Sequence, residues 1–189
     1  MDVTDIKGLN AEVKKRMDGA IEHVRKELSG LRSGRASTSL LDPVQVEAYG
    51  SMVPLNQVAV MSIPEPTMIA VQPFDPSLTS AIERGIQKAN LGLNPASDGK
   101  VIRVPIPTLT EERRKEMSKL VHKYAEDGRN SVRQVRRDAN DRLKKLLKDH
   151  QISEDDERRA LEDVQKITDQ HVTMIDEIQK KKDTELLGK

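Results

Sequence analysis

Val104-Pro-Ile-Pro-Thr-Leu-Thr-Glu-Glu112 changes character within a few residues: two prolines close a lightly charged region, and a threonine followed by two glutamates opens a highly charged one. Proline costs a helix interior roughly 3 kcal/mol, whereas Thr110 is a good N-cap and Glu111 and Glu112 suit the positive end of a helix dipole. A long helix is therefore predicted to start near Thr110. Upstream, all nine prolines of the 189-residue chain fall between Pro43 and Pro107. Residues 32–107 carry 12 charges, and the two flanks carry 51. The chain divides into three stretches, and the flanks are expected to fold together around an insertion.

In the first flank Val3, Ile6, Leu9, Val13, Met17, Ala20, Val24, Leu28 and Leu31 recur at steps of three and four, predicting an amphipathic helix of about 28 residues ended by Gly30 and Gly34. Downstream of Thr110 the seam reads Met117, Leu120, Tyr124, Val132, Val135, Ala139, Leu143 and Leu146, with the exit near His150. Ser153 then caps a third helix opened by Glu154-Asp-Asp156, whose seam is Leu161, Val164, Thr168, His171, Ile175 and Ile178, before a frayed Leu186-Leu-Gly-Lys189 tail. Such stripes cannot stay wet, because burying one aliphatic side chain is worth about 1.5–3 kcal/mol. Residues 1–31 and 108–189 are predicted to form an elongated three-helix bundle.

Residues 32–107 read as a small β/α/β module, giving an α+β, two-domain chain. Pro43–Ala48, Val58–Ile63, Thr67–Val71 and Val101–Val104 have strand character, and Asp75-Pro76 opens a helix that ends around Asn90-Leu-Gly92. Hinge linkers are expected at Arg32, Ser33, Gly34, Arg35 and Ala36, and again at Val104, Pro105, Ile106 and Pro107.

Composition removes whole classes of function. With no cysteine the chain has neither disulfides nor thiolate chemistry, which fits a reducing compartment. No apolar run approaches the ~18 residues of a membrane span, and the first residues lack the pattern of a leader, so a cytoplasmic protein without membrane contact is expected. The four histidines lie far apart, the carboxylates of Glu154–Glu157 diverge around their helix, and no phosphate-binding glycine loop is present. No catalytic dyad, metal or cofactor is assigned. His171 reads as a satisfied interior histidine. Gly128, inside the second long helix, costs about 1 kcal/mol there relative to alanine and is read either as a bend or as neutral.

The net charge is only +1, yet residues 129–148 hold eight basic and two acidic side chains. Arg129, Arg133, Arg136 and Arg137 stand at i, i+4, i+7 and i+8, within an arc of roughly 100° on one side of the helix. Guanidinium groups in a row suit phosphate forks, and the lack of interleaved aromatic residues favours backbone or folded-RNA recognition over stacking on single strands. The plain alternative is a solvated Arg–Glu ladder balanced by the acidic third helix.

Several stretches are distinctive in combination: Arg32-Ser-Gly-Arg-Ala36, Leu91-Gly-Leu-Asn-Pro95, Ile102-Arg-Val-Pro105, Leu109-Thr-Glu-Glu-Arg-Arg114, Val135-Arg-Arg-Asp-Ala-Asn-Asp141 and Ile152-Ser-Glu-Asp-Asp156. Over essentially its whole length the chain resembles the ribosome recycling factor family. That resemblance implies an L-shaped, monomeric, non-enzymatic protein that binds the post-termination ribosome. It further implies contact with large-subunit rRNA rather than DNA, through Arg133, Arg136 and Arg137 with Arg129 adjoining. With elongation factor G and GTP, such a protein splits the subunits and so frees mRNA and tRNA. Thr108 stands where many members have proline. The alternative from another class is a coiled-coil adaptor or chaperone that grips protein clients with apolar surface at the bundle tip.

Overall fold

A computed structural model describes residues 1–187. The chain forms two compact units, one of Met1–Arg32 with Glu111–Lys189 and one of Ser33–Thr110.

The first unit is a bundle of α1 (Ile6–Ser29), α3 (Glu111–Lys148) and α4 (Glu154–Leu187), each packed against the other two. Local chemistry sets each end. Asp5 caps α1 by accepting from the Gly8 N–H at 2.7 Å, so the helix begins later than Val3; the Val3 carbonyl instead accepts from Arg142 Nε at 2.7 Å. After α3, His150 takes a left-handed φ of 57° and the Gln151 N–H turns back to the Leu146 carbonyl, a closing turn more often made by glycine. Ser153 Oγ accepts from the Asp156 N–H while the Asp156 carboxylate accepts from the Ser153 N–H. This reciprocal cap starts α4, and its hydrogen bonds hold the Asp156 carboxyl below its ordinary value.

The core joins Leu9, Val13, Met17 and Ile21 of α1 to Val132, Ala139 and Leu143 of α3 and Val164 and Ile175 of α4. On α3 the buried positions near the middle are Val121, Ala125 and Gly128, whereas Leu120 and Tyr124 are only half-buried. Small residues sit where three helices come closest. Gly128 is the extreme case: a Cβ there would lie 2.3 Å from Val24 Cγ2 and 3.4 Å from Ile175 Cδ1. The glycine is thus neither a bend marker nor neutral; it admits α1 and α4 to the axis. Gly128→Ala is expected to lower bundle stability by about 1–3 kcal/mol through overpacking, although helix propensity alone favours it by about 1 kcal/mol. Urea denaturation checks this, with Val24→Ala added to the same chain restoring part of the loss. A gain in stability would mean that Val24 yields without cost.

His171 is 5% exposed on the seam of α4. Its Nδ1 lies 2.7 Å from the Ile167 carbonyl and its Nε2 2.7 Å from Asp18 Oδ1 on α1. This satisfied interior histidine ties α4 to α1. Leu186, expected in a frayed tail, is buried as part of α4, whereas Gly188 and Lys189 lie outside the described residues.

The second unit carries β1 (Gln45–Ala48) and β2 (Ser51–Pro54) as a hairpin, then an antiparallel sheet of order β3-β4-β6-β5. Its strands are β3 (Ala59–Glu65), β4 (Met68–Pro73), β5 (Ala96–Ser97) and β6 (Ile102–Pro105), and α2 (Thr79–Lys88) packs on β1. Two strands escaped the sequence reading. β2 follows a Tyr49-Gly50 turn with both residues at positive φ, and β5 is only two residues long. Asp75 accepts from the Ser77 N–H and from the Tyr49 hydroxyl, ahead of a 3-10 turn that leads into α2. The core of this unit is aliphatic: Val46, Ile69, Val71, Ile82, Ile86, Ile102 and Val104.

The second expected linker needs correction. Val104 and Pro105 lie in β6, paired with Ile69 and Met68, and Val104 is fully buried. The Ile106 N–H donates to the Thr67 carbonyl at 2.7 Å, and the Ala36 N–H to the Pro66 carbonyl at 2.7 Å. Proline reads as a break, but β5 pairs only with Ile102 and Arg103, so Pro105 occupies an edge position that tolerates a missing donor. Val104, Pro105, Ile106 and Ala36 therefore belong to the framework of the second unit. The chain without regular structure is Pro107–Thr110 on one side and Arg32–Arg35 on the other. These two crossings run side by side. Gly34 has φ +74°, and a Cβ there would lie 3.2 Å from Leu109 Cγ and 3.3 Å from its backbone nitrogen.

Candidate nucleic-acid interface

The four arginines of α3 fall into two groups. Arg129 Nε donates to Asp176 of α4 at 2.8 Å, another of its nitrogens donates to Gln179, and Nη1 donates to Glu126 at 3.0 Å. Its side chain is only 15% exposed. Arg129 is therefore a clamp between α3 and α4, not part of an open row. The correction has a plain reason: on the helix Arg129 leans toward α4, and its partners lie about fifty residues away in sequence, beyond the reach of a spacing argument.

The other three remain available. Arg133 is 40% exposed at its side chain and touches Glu126 Oε1 at 3.2 Å and Asn130 at 3.3 Å. Arg136 is half-buried, its Nη1 3.4 Å from Gln165 of α4. Arg137 is exposed and has no hydrogen-bond or ion-pair partner among the described residues. Eleven residues bring an α-helix back to within about 20° of the same direction, so Lys144 stands on the line of Arg133 and Lys148 on that of Arg137. Both lysines are exposed and carry no ion pair among the described residues. The solvent face of α3 is thus a cationic track longer than the four-arginine spacing shows.

Asp141, exposed between Arg137 and Lys148, interrupts this track, and another anion, Glu126, stands at its N-terminal end. Glu126 accepts from Arg129 at Oε2 and from Arg133 at Oε1. The hydrogen bond from Arg129, then that from Arg133, hold its carboxyl below the usual glutamate value against the opposing effect of desolvation. Glu126 was not singled out from sequence. Its i+3 and i+7 relation to the two arginines is the signal that could have found it.

The site is thus a row of planar forks and ammonium groups on a helix whose opposite side is packed into a bundle. It can bind phosphate groups bidentately and by charge, and its placement is set by the bundle core rather than by loops. Elsewhere, Glu154 to Glu157 occupy the first turn of α4, where their charge suits the helix dipole. Among the described residues, no three His, Cys, Asp or Glu side chains gather in a way that could hold a metal ion. Among the described residues, no helix is long and apolar enough to cross a membrane.

Comparison with known proteins places this geometry among relatives. The family model described as Ribosome recycling factor matches residues 24–187. A ribosome-recycling factor of Nitrobacter winogradskyi is 55% identical over 176 residues, covering 93% of this chain and 94% of its own length. One from Rhodopseudomonas palustris is 56% identical over 176 residues, covering 93% and 95%. Among solved structures, a solution structure of a ribosome recycling factor matches with a TM-score of 0.75 at 41% identity, covering 97% of this chain and 98% of that one. A second match, with a TM-score of 0.63 at 44% identity over 96% and 98%, comes from models for the T. thermophilus ribosome recycling factor and the E. coli elongation factor G bound to the E. coli post-termination complex.

Proposed function

The chain belongs to the ribosome recycling factor family, and from that premise we propose that it acts as a cytoplasmic monomer that binds the post-termination ribosome through rRNA contacts of α3 and, with elongation factor G and GTP, drives its separation into subunits. The observation that carries the rRNA assignment is the open part of the arginine row: none of Arg133, Arg136 and Arg137 is buried, and Arg137 lacks a partner among the described residues. Three such guanidiniums neutralise about three phosphates. The logarithm of affinity then falls with the logarithm of salt at a slope of roughly −3, with Lys144 and Lys148 steepening it if they also engage.

The division of labour follows from the two units. The bundle holds the RNA face in place by core packing, while force reaches it through the crossings at Arg32–Arg35 and Pro107–Thr110, which allow the second unit to swing. GTP hydrolysis belongs to the partner; this chain supplies binding and mechanics, without chemistry of its own. An adaptor or chaperone would need a broad apolar surface on the bundle. The large apolar side chains exposed there among the described residues are Met174 and Leu187, more than three turns apart.

The test is subunit separation followed by light scattering, with post-termination ribosomes, elongation factor G and GTP, in the presence and absence of this protein. Separation is expected to accelerate only when all are present. No acceleration, with ribosome binding verified, overturns the reading.

A further inference from the structure

We propose that Glu126 limits the affinity of the RNA face: in the free protein its carboxylate holds Nη1, one arm of the Arg133 fork that an RNA phosphate takes on binding, so that association exchanges an internal anion for an external one. The inference rests on Arg133 being a phosphate ligand, as argued above.

The geometry separates Glu126 from an ordinary surface acid. Both of its oxygens are engaged, Oε2 by Arg129 at 3.0 Å and Oε1 by Arg133 at 3.2 Å. Arg129 is itself fastened to Asp176 and Gln179 of α4, so it is a fixed anchor rather than a floating counter-charge. The anchor holds the carboxylate toward Arg133, two turns farther along α3. A carboxylate and a phosphate present the same kind of acceptor pair to a guanidinium. An incoming phosphate must either displace Glu126 from that fork or approach by the free edge of Arg133 and sit beside a fixed negative charge. Both routes weaken binding. A glutamate is anionic at neutral pH, and the hydrogen bonds from Arg129 and Arg133 favour that charged form further.

Exposure sets the size of the effect. The Glu126 side chain is 53% exposed, so the pair is worth little in water and the exchange trims affinity without blocking it. For a factor that must leave its ribosome after each round, such trimming shortens residence.

Glu126→Gln tests this, because the amide keeps the shape and an acceptor for Arg129 while removing the charge. Equilibrium binding and dissociation rate are measured with purified ribosomes across a salt series. The variant is expected to bind about three- to tenfold more tightly near 0.1 M salt, with slower release, an unchanged melting curve and a gain that shrinks as salt rises. Placed in an Arg133→Ala background, Glu126→Gln is expected to give no further gain, since the contested fork is gone. Unchanged or weaker binding by the single variant overturns the proposal and makes Glu126 a support for Arg133. An equal gain in both backgrounds also overturns it, leaving only a general field effect. Arg136→Ala in the same assay separates the two levels. If that variant binds normally, the RNA face is misassigned. If it binds weakly while Glu126→Gln shows no gain, only the role of Glu126 fails.

Discussion

Replacing Arg136 by alanine is expected to weaken ribosome binding about ten- to hundredfold and to slow recycling in proportion, while helix content is kept and the melting temperature moves by no more than about 2 °C. A hydrogen bond to a charged group is worth about 1.5–3 kcal/mol, which is that range of affinity at 1.4 kcal/mol per tenfold. In the free protein the same guanidinium does little. Its contact with the Gln165 amide oxygen is long at 3.4 Å and joins two side chains that water can also serve. The aliphatic stem of Arg136 lies half-buried beside α4, so its truncation removes some packing, within the small range typical of surface substitutions. The salt slope of binding should fall by about one, the signature of a lost phosphate contact rather than a damaged fold. Arg129→Ala supplies the opposite pattern: it severs the link to Asp176 and Gln179 and should lower stability, with a smaller direct effect on the slope. Sedimentation with ribosomes, circular dichroism and a thermal melt distinguish the two. Unchanged sedimentation of the Arg136 variant removes that residue from the RNA face.

The second large effect concerns motion. A disulfide that joins the bundle to the second unit is expected to leave ribosome binding intact and to abolish separation of the subunits by elongation factor G and GTP, with activity returning on reduction. The chain has no cysteine of its own, so an introduced pair gives one defined bridge. Binding should survive because Arg133, Arg136 and Arg137 all stand on α3, whose placement depends on bundle packing alone. Separation should fail because a hinge acts through a few chain positions that absorb dihedral change, and the bridge removes their freedom. Full separation by a verified cross-linked protein would show that the units act as one body.

Most of the fold was legible because the helices keep their apolar residues at steps of three and four, and because all nine prolines lie in one region. The limits of that reading are equally physical. Periodicity marks large side chains, so it favoured Leu120 and Tyr124 over Ala125 and Gly128, although the closest approach of three helices selects small residues. Proline was taken as the end of a framework at Pro105, where it occupies a strand position beyond the reach of β5. At the candidate site, helical spacing groups four arginines on one side of α3. It could not tell that Asp176 and Gln179 on another helix draw one of them inward, or that Glu126 reaches two of them at once.

The bundle is discontinuous in sequence, and this governs the order of its assembly. During synthesis α1 emerges with Leu9, Val13, Met17 and Ile21 lacking the helices that cover them, and it must wait while Ser33–Thr110 is added. At about 5–20 residues per second that delay is roughly 4–16 s, and adding α3 and α4 takes about as long again, time in which the later-encoded but self-contained unit folds first. Premature termination after Thr110 but before α3 is complete therefore yields a nascent product with one finished module and a sticky amphipathic arm, a natural client for holdase chaperones and proteases.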